Sequence, residues 1–132
     1  MRMLNALVLP VLLVAHSTST LAADLNGGWA LDSSDCDDVF AKENNKPAFK
    51  KDADVHAGGL IVDGRKISGT FQKCTVKSLH DDGSNAQVTA SCSDGIMVSD
   101  VTFDVKFSGQ NEIILSSKGS TPTEMHYVRC PM

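Results

Sequence analysis

The sequence predicts an all-β fold: a small antiparallel β-barrel or sandwich of seven or eight strands, with at most one short helix and two disulfides. Three observations carry this expectation. Short runs of alternating hydrophobicity recur between turn clusters such as Asp63-Gly64, Asp81 to Asn85, Asp94-Gly95 and Gly109 to Asn111. Thirteen Asp stand against three Glu, and Ser, Thr and Val are plentiful, a composition that suits turns and strands better than helices. Four cysteines, Cys36, Cys74, Cys92 and Cys130, form an even set without any close C-x-x-C pair, which reads as a disulfide framework rather than a zinc or redox motif.

The chain begins with a targeting pattern. Arg2 precedes the apolar stretch Leu4 to Ala15, the polar run His16 to Thr20 and the small pair Ala22 and Ala23, the three-part order of a secretory signal peptide. Residues 1-23 therefore read as a leader cut after Ala22 or Ala23, and 24-132 as one disulfide-linked domain. A membrane anchor would need about 20 apolar residues, and no stretch reaches that length. No Cys follows the small pair to accept a lipid. The expected destination is the periplasm or the medium, as a monomer.

Within the domain, Leu25, Gly27, Trp29 and Leu31 recur at period two, so Asp24 to Asp32 reads as a first strand. Ser33 or Ser34 is the candidate cap of a short helix through Asp35, Asp37 and Asp38, with Val39 and Phe40 as its apolar contacts. Ala41 to Ala57 reads as a polar loop anchored by Phe49. Leu60 to Val62 and Ile67 to Phe71 flank the Asp63-Gly64 turn as a hairpin. Continuing that second strand into Cys74 would need a bulge near Gln72 and Lys73, because the apolar phase changes there.

The pairing of the cysteines follows from a register test. Cys74 to Leu79 and Ala86 to Cys92 flank the turn cluster around Gly83. Placing Cys74 opposite Cys92 pairs Val76 with Ala90 and Ser78 with Val88, and puts Cys74, Val76, Val88, Ala90 and Cys92 on one face. A two-residue Asp82-Gly83 turn would point the thiols to opposite sides of the sheet. Elimination leaves Cys36 with Cys130. In the chain-entropy model the hairpin bridge contributes about 3 kcal/mol and the long closure about 4.7 kcal/mol.

Val101, Phe103, Val105 and Phe107 alternate with polar residues as the clearest half-buried strand. Ile113 to Leu115 and Met125 to Cys130 complete the set, joined by a loop holding Gly119 and Pro122.

Gly27-Gly28-Trp29 at the opening of the first strand, with Arg129 at the end of the last, resembles the G-x-W and distant Arg signature of the calycins. These barrels include the lipocalins, the avidins and a group of bacterial metalloprotease inhibitors. The chain also resembles small exported bacterial proteins of unassigned role, and it lacks the long loops and second motif block of typical lipocalins. The resemblance implies a barrel in which Trp29 closes the base and Arg129 packs across it.

Charge and chemistry narrow the function. Twelve basic against sixteen acidic residues give a net charge of -4, so the basic footprint of a nucleic-acid binder is missing. No G-x-S-x-G elbow, calcium-loop pattern or Gly-rich phosphate cradle occurs, so catalytic, metal and cofactor sites are expected to be none. Asp54 with His56, and His80 with Asp81 and Asp82, are the candidates weighed for metal and set aside as solvated loop residues. Lys46, Phe49, Lys50 and Lys51 form a candidate partner loop. The leading expectation is an exported, non-catalytic binding protein for a small ligand or a protein partner. The alternatives are an inhibitor of a secreted or periplasmic hydrolase, such as a metalloprotease or lysozyme, and an enzyme.

Overall fold

The computed structural model describes residues 25–56, 58–81, 83–117 and 123–131. The expected leader at 1-23 lies outside them. Eight antiparallel strands close into a barrel in the order β1 (Gly27–Ala30), β10 (Glu124–Arg129), β9 (Glu112–Ser117), β8 (Val98–Phe107), β7 (Asn85–Ser93), β6 (Lys73–Asp81), β5 (Lys66–Ser68) and β4 (Gly59–Asp63), with β4 pairing back onto β1. The barrel alternative is therefore the observed one.

Both expected disulfides are present. Cys74 bonds Cys92 across β6 and β7 with Cα atoms 4.0 Å apart, and Cys36 bonds Cys130 with Cα atoms 5.6 Å apart. Cys74 lies opposite Cys92 and Val76 opposite Ala90, as the register test requires. Beyond Val76 the register shifts by one. Ser78 faces Thr89, and Leu79 rather than Ser78 faces Val88. The extra residue of this bulge explains why Val76 and Leu79, three apart, both turn toward the interior.

Four other expectations change. The first strand ends at Ala30, and Leu31 is exposed. The cap is Asp32, whose Oδ1 accepts from the Ser34 backbone and hydroxyl at 2.9 and 2.8 Å, ahead of a 3-10 turn at Ser33–Asp35 and the helix α1 (Cys36–Val39). Instead of a bulge near Gln72 and Lys73, the chain makes a full turn there. Gly69 N donates to Gln72 O at 2.7 Å, and Ile67 pairs with Cys74 across separate strands. Finally, the polar segment after Phe40 is a hairpin, β2 (Phe40–Glu43) with β3 (Lys46–Phe49), followed by a 3-10 turn at Ala53–His56. Asn44 and Asn45 supply the two positive φ angles that a two-residue hairpin turn demands.

Two apolar clusters result. Inside the barrel, Leu25, Trp29, Val62, Ala86, Val88, Val105, Ile113 and Tyr127 are buried. Outside it, Ala30, Cys36, Val39, Phe40, Ala53 and Cys130 pack with Phe49 and Ile61 between the β1–β4 wall and the helix-hairpin segment. The outer cluster depends on missing side chains. A Cβ on Gly59 would stand 2.6 Å from the Trp29 carbonyl oxygen and 2.9 Å from Phe40, and one on Gly28 would stand 3.3 Å from the same ring.

Candidate ligand-binding cavity

Trp29 and Arg129 are directly opposed on β1 and β10, so both project to the same, inner side. The Arg129 guanidinium carbon lies 4.3 Å from the Trp29 ring centroid. Trp29 is fully buried, and its Nε1 donates to the Leu25 carbonyl at 2.8 Å. Arg129 donates through Nη2 to the Gln110 carbonyl at 3.2 Å and through Nη1 to the Asn26 carbonyl. Asn26 Oδ1 in turn accepts from Gly64 N at 2.8 Å. One cation thus joins the start of β1 and the β8–β9 turn over an indole face, a geometry worth about 0.5–2 kcal/mol, and Asn26 extends the link to the β4–β5 turn. The next residue, Cys130, points outward to its disulfide with Cys36.

Away from this closure the barrel is not filled. A cavity of about 510 Å³ runs through it, walled by Leu60, Val62, Ile67, Val76, Leu79, Val88, Val101, Phe103, Val105, Ile113 and Leu115, and by the Cys74–Cys92 disulfide. The two residues of β7 that line it, Val88 and Cys92, are both small. The bulge at Lys77 shifts the register of the wall, and Arg65 braces it by donating to the Val76 carbonyl through Nε at 3.1 Å and Nη2 at 2.6 Å.

Gly64 and Arg65 line the cavity toward one end, and Gln72, Ser117, Thr123 and Met125 toward the other. Arg65 and Lys77 are the charged residues among its described lining, and the Lys77 ammonium pairs with Asp100 at 2.8 Å on the exposed side. No His, Asp or Glu appears in that lining. Burial pushes the Tyr127 phenol above its usual range, and its hydroxyl donates to Met125 Sδ at 3.8 Å. Asp94, on the β7–β8 turn, is held below the usual carboxylate range by the backbone N–H groups of Met97 and Ile96.

The residues of the candidate partner loop lie on β3 and directly after it. Phe49 is half-buried with its ring centroid 5.5 Å from that of Phe40, Lys46 pairs with Asp63 at 3.2 Å, and the Lys50 ammonium donates to the Asp37 carbonyl. Lys51 is exposed. The weighed metal candidates Asp54, His56, His80 and Asp81 are all exposed, Asp82 lies outside the described residues, and no three metal-ligating side chains converge among the described residues. Sequence reasoning put Val76, Val88 and Cys92 on one face without reading them as walls of a cavity, and it missed the apolar tip Ile96-Met97-Val98. The signal for the tip was an apolar triplet directly after Asp94-Gly95, where a polar residue is the ordinary choice.

Compared with protein-family models, curated proteins and solved structures, the chain matches none. The fold and the cavity therefore carry the functional reading by themselves.

Proposed function

We propose that this protein is an exported, monomeric, non-catalytic binding protein that holds a small, neutral, apolar ligand inside a calycin-like barrel. The cavity is the observation that carries the reading. Its volume, about 510 Å³, falls within the roughly 300–1,000 Å³ typical of small-molecule sites. Apolar ligand surface gains roughly 25 cal/mol per Å² on leaving water. A charged ligand group carried to the centre would cost several kcal/mol without a partner. The described lining places no carboxylate or imidazole there for acid–base chemistry.

Export is supported by the leader pattern at 1-23 and by two disulfides, which persist in oxidising compartments. No helix among the described residues is long and apolar enough to cross a membrane. The inhibitor alternative has less behind it, since Phe49, at the centre of its candidate loop, packs inward on Phe40.

Native mass spectrometry on protein purified gently from its own compartment tests the reading. The expected spectrum shows a monomer carrying a small, non-covalent added mass that organic extraction removes. A stoichiometric complex with a hydrolase would overturn it in favour of the inhibitor.

A further inference from the structure

Four large apolar side chains stand in solvent at one rim of the barrel. Ile96 is 92% exposed, Phe71 74%, Val98 72% and Met97 69%. Phe71 sits in the β5–β6 turn and Ile96 and Met97 in the β7–β8 turn. Lys73 pairs with Ser93 and Ser93 with Val98, so the two turns are neighbours on the same end, separated by the paired strands β6 and β7. With strands about 4.8 Å apart, the turn centres lie roughly 10 Å from one another.

The β7–β8 tip is built to project. Asp94 Oδ1 accepts from Ile96 N and Met97 N at 2.9 Å each, and Ser93 Oγ accepts from Gly95 N at 3.2 Å. The polar groups of the turn are thereby satisfied from within, and the apolar side chains are left pointing outward. Single exposed apolar residues are ordinary, but a cluster on adjacent turns marks a contact surface.

Two features choose the partner. The rim is also an end of the apolar cavity, since Gln72 beside Phe71, Cys92 beside Ser93, and Val101 on β8 all line it. Lys73 and Asp94 flank the tips with opposite charges, which favours an uncharged surface over an anionic one. We propose that Phe71, Ile96 and Met97 insert into the interface of a zwitterionic lipid surface, bringing the cavity rim against the phase from which an apolar ligand is drawn. The ligand's passage rests on the cavity reading above, whereas the surface contact does not.

Flotation of the intact, disulfide-bonded protein with phosphatidylcholine vesicles tests this. Wild type is expected to float with the vesicles at low and high salt alike. The triple variant Phe71→Ser, Ile96→Ser, Met97→Ser is expected to stay in the dense fraction with its circular dichroism and both disulfides unchanged. A variant with the cavity narrowed by Val76→Phe and Val88→Phe is expected to float normally, which separates this proposal from the ligand reading. Wild type that fails to float, a triple variant that still floats, or binding abolished by salt would overturn the contact. Concentration-dependent dimerisation of wild type without flotation, lost in the triple variant, would reassign the patch to a second copy of the chain.

Discussion

The β1, β4 and β10 side of the barrel is covered on its outer face, whereas the β6, β7 and β8 side meets solvent there; within, Trp29 and Arg129 close one end, and the cavity beyond them is lined by Leu60 and Val62 of β4 as well as by β6 to β8. On the first side Trp29 fills the interior under Arg129, and Phe40, Val39 and the Cys36–Cys130 bridge press on the exterior. The wall between them tolerates no extra atom at Gly59. On the second side the inward residues range from Val76 and Val88 to Leu79 and Phe103, most outward ones are polar, and a bulge shifts the register at Lys77. One chain thus separates its stability from its site: close packing sits where the ends meet, and open volume sits where strands are longest.

The largest expected effect that probes this division comes from the disulfides. Cys36→Ser with Cys130→Ser removes a closure of 94 residues that also pins the outer layer, and Cys74→Ser with Cys92→Ser removes one of 18. Chemical denaturation is expected to show losses of about 4.7 and about 3 kcal/mol respectively. Equal losses would mean that the outer layer does not depend on its staple.

Packing contrasts follow. Trp29→Ala is expected to cost about 3–5 kcal/mol, because it empties the filled end and removes the ring under Arg129. Gly59→Ala, a single methyl, is expected to cost about 1–3 kcal/mol because the obstacle is a backbone carbonyl that cannot turn aside. Val76→Phe adds more atoms at a cavity-lining position that is only partly buried, so thermal unfolding is expected to register less than about 1 kcal/mol. If Val76→Phe cost as much as Gly59→Ala, the cavity would not be open in solution.

The smallest effect is on acid stability. Asp32 beside α1 and Asp94 on the open rim both accept hydrogen bonds that hold their carboxyls below the usual range, Asp32 from the Ser34 backbone and hydroxyl and Asp94 from the Met97 and Ile96 backbone. Their folded-state pKa values are depressed, so the contribution is present above the unfolded value of about 3.9 and is lost as pH falls below it. Asp32→Asn and Asp94→Asn are each expected to flatten the acid limb of a stability–pH curve slightly while leaving the neutral region's slope unchanged. A slope change near neutrality would point to a different titrating group.

Much of this division could be read in the sequence. The alternation of Val101 to Phe107, the Gly-containing turns and the cysteine register each follow from a period of two, and that is the property a barrel strand imposes most strictly. The Gly27 to Trp29 motif and Arg129 located the closed end for the same reason, since both positions face inward across one strand pair. The β2–β3 hairpin was hidden because its strands carry Lys, Glu and Pro on an edge that needs no apolar alternation. Phe49 was visible as an anchor, and its ring rests on Phe40. The cavity left little trace in the chain. Its volume depends on how the strands tilt and stagger around the barrel and on one bulge whose only sign is the spacing of Val76 and Leu79.

The central claim, that the open side of the barrel receives a neutral apolar molecule, is tested most directly by fluorescence titration with N-phenyl-1-naphthylamine. Wild type and the Val76→Phe, Val88→Phe variant are compared under identical conditions. The expected result is saturable, one-to-one enhancement with wild type and binding at least about tenfold weaker in the variant, equivalent to about 1.4 kcal/mol. No enhancement with ligand-stripped wild type, or equal affinity in the two proteins, would contradict the claim.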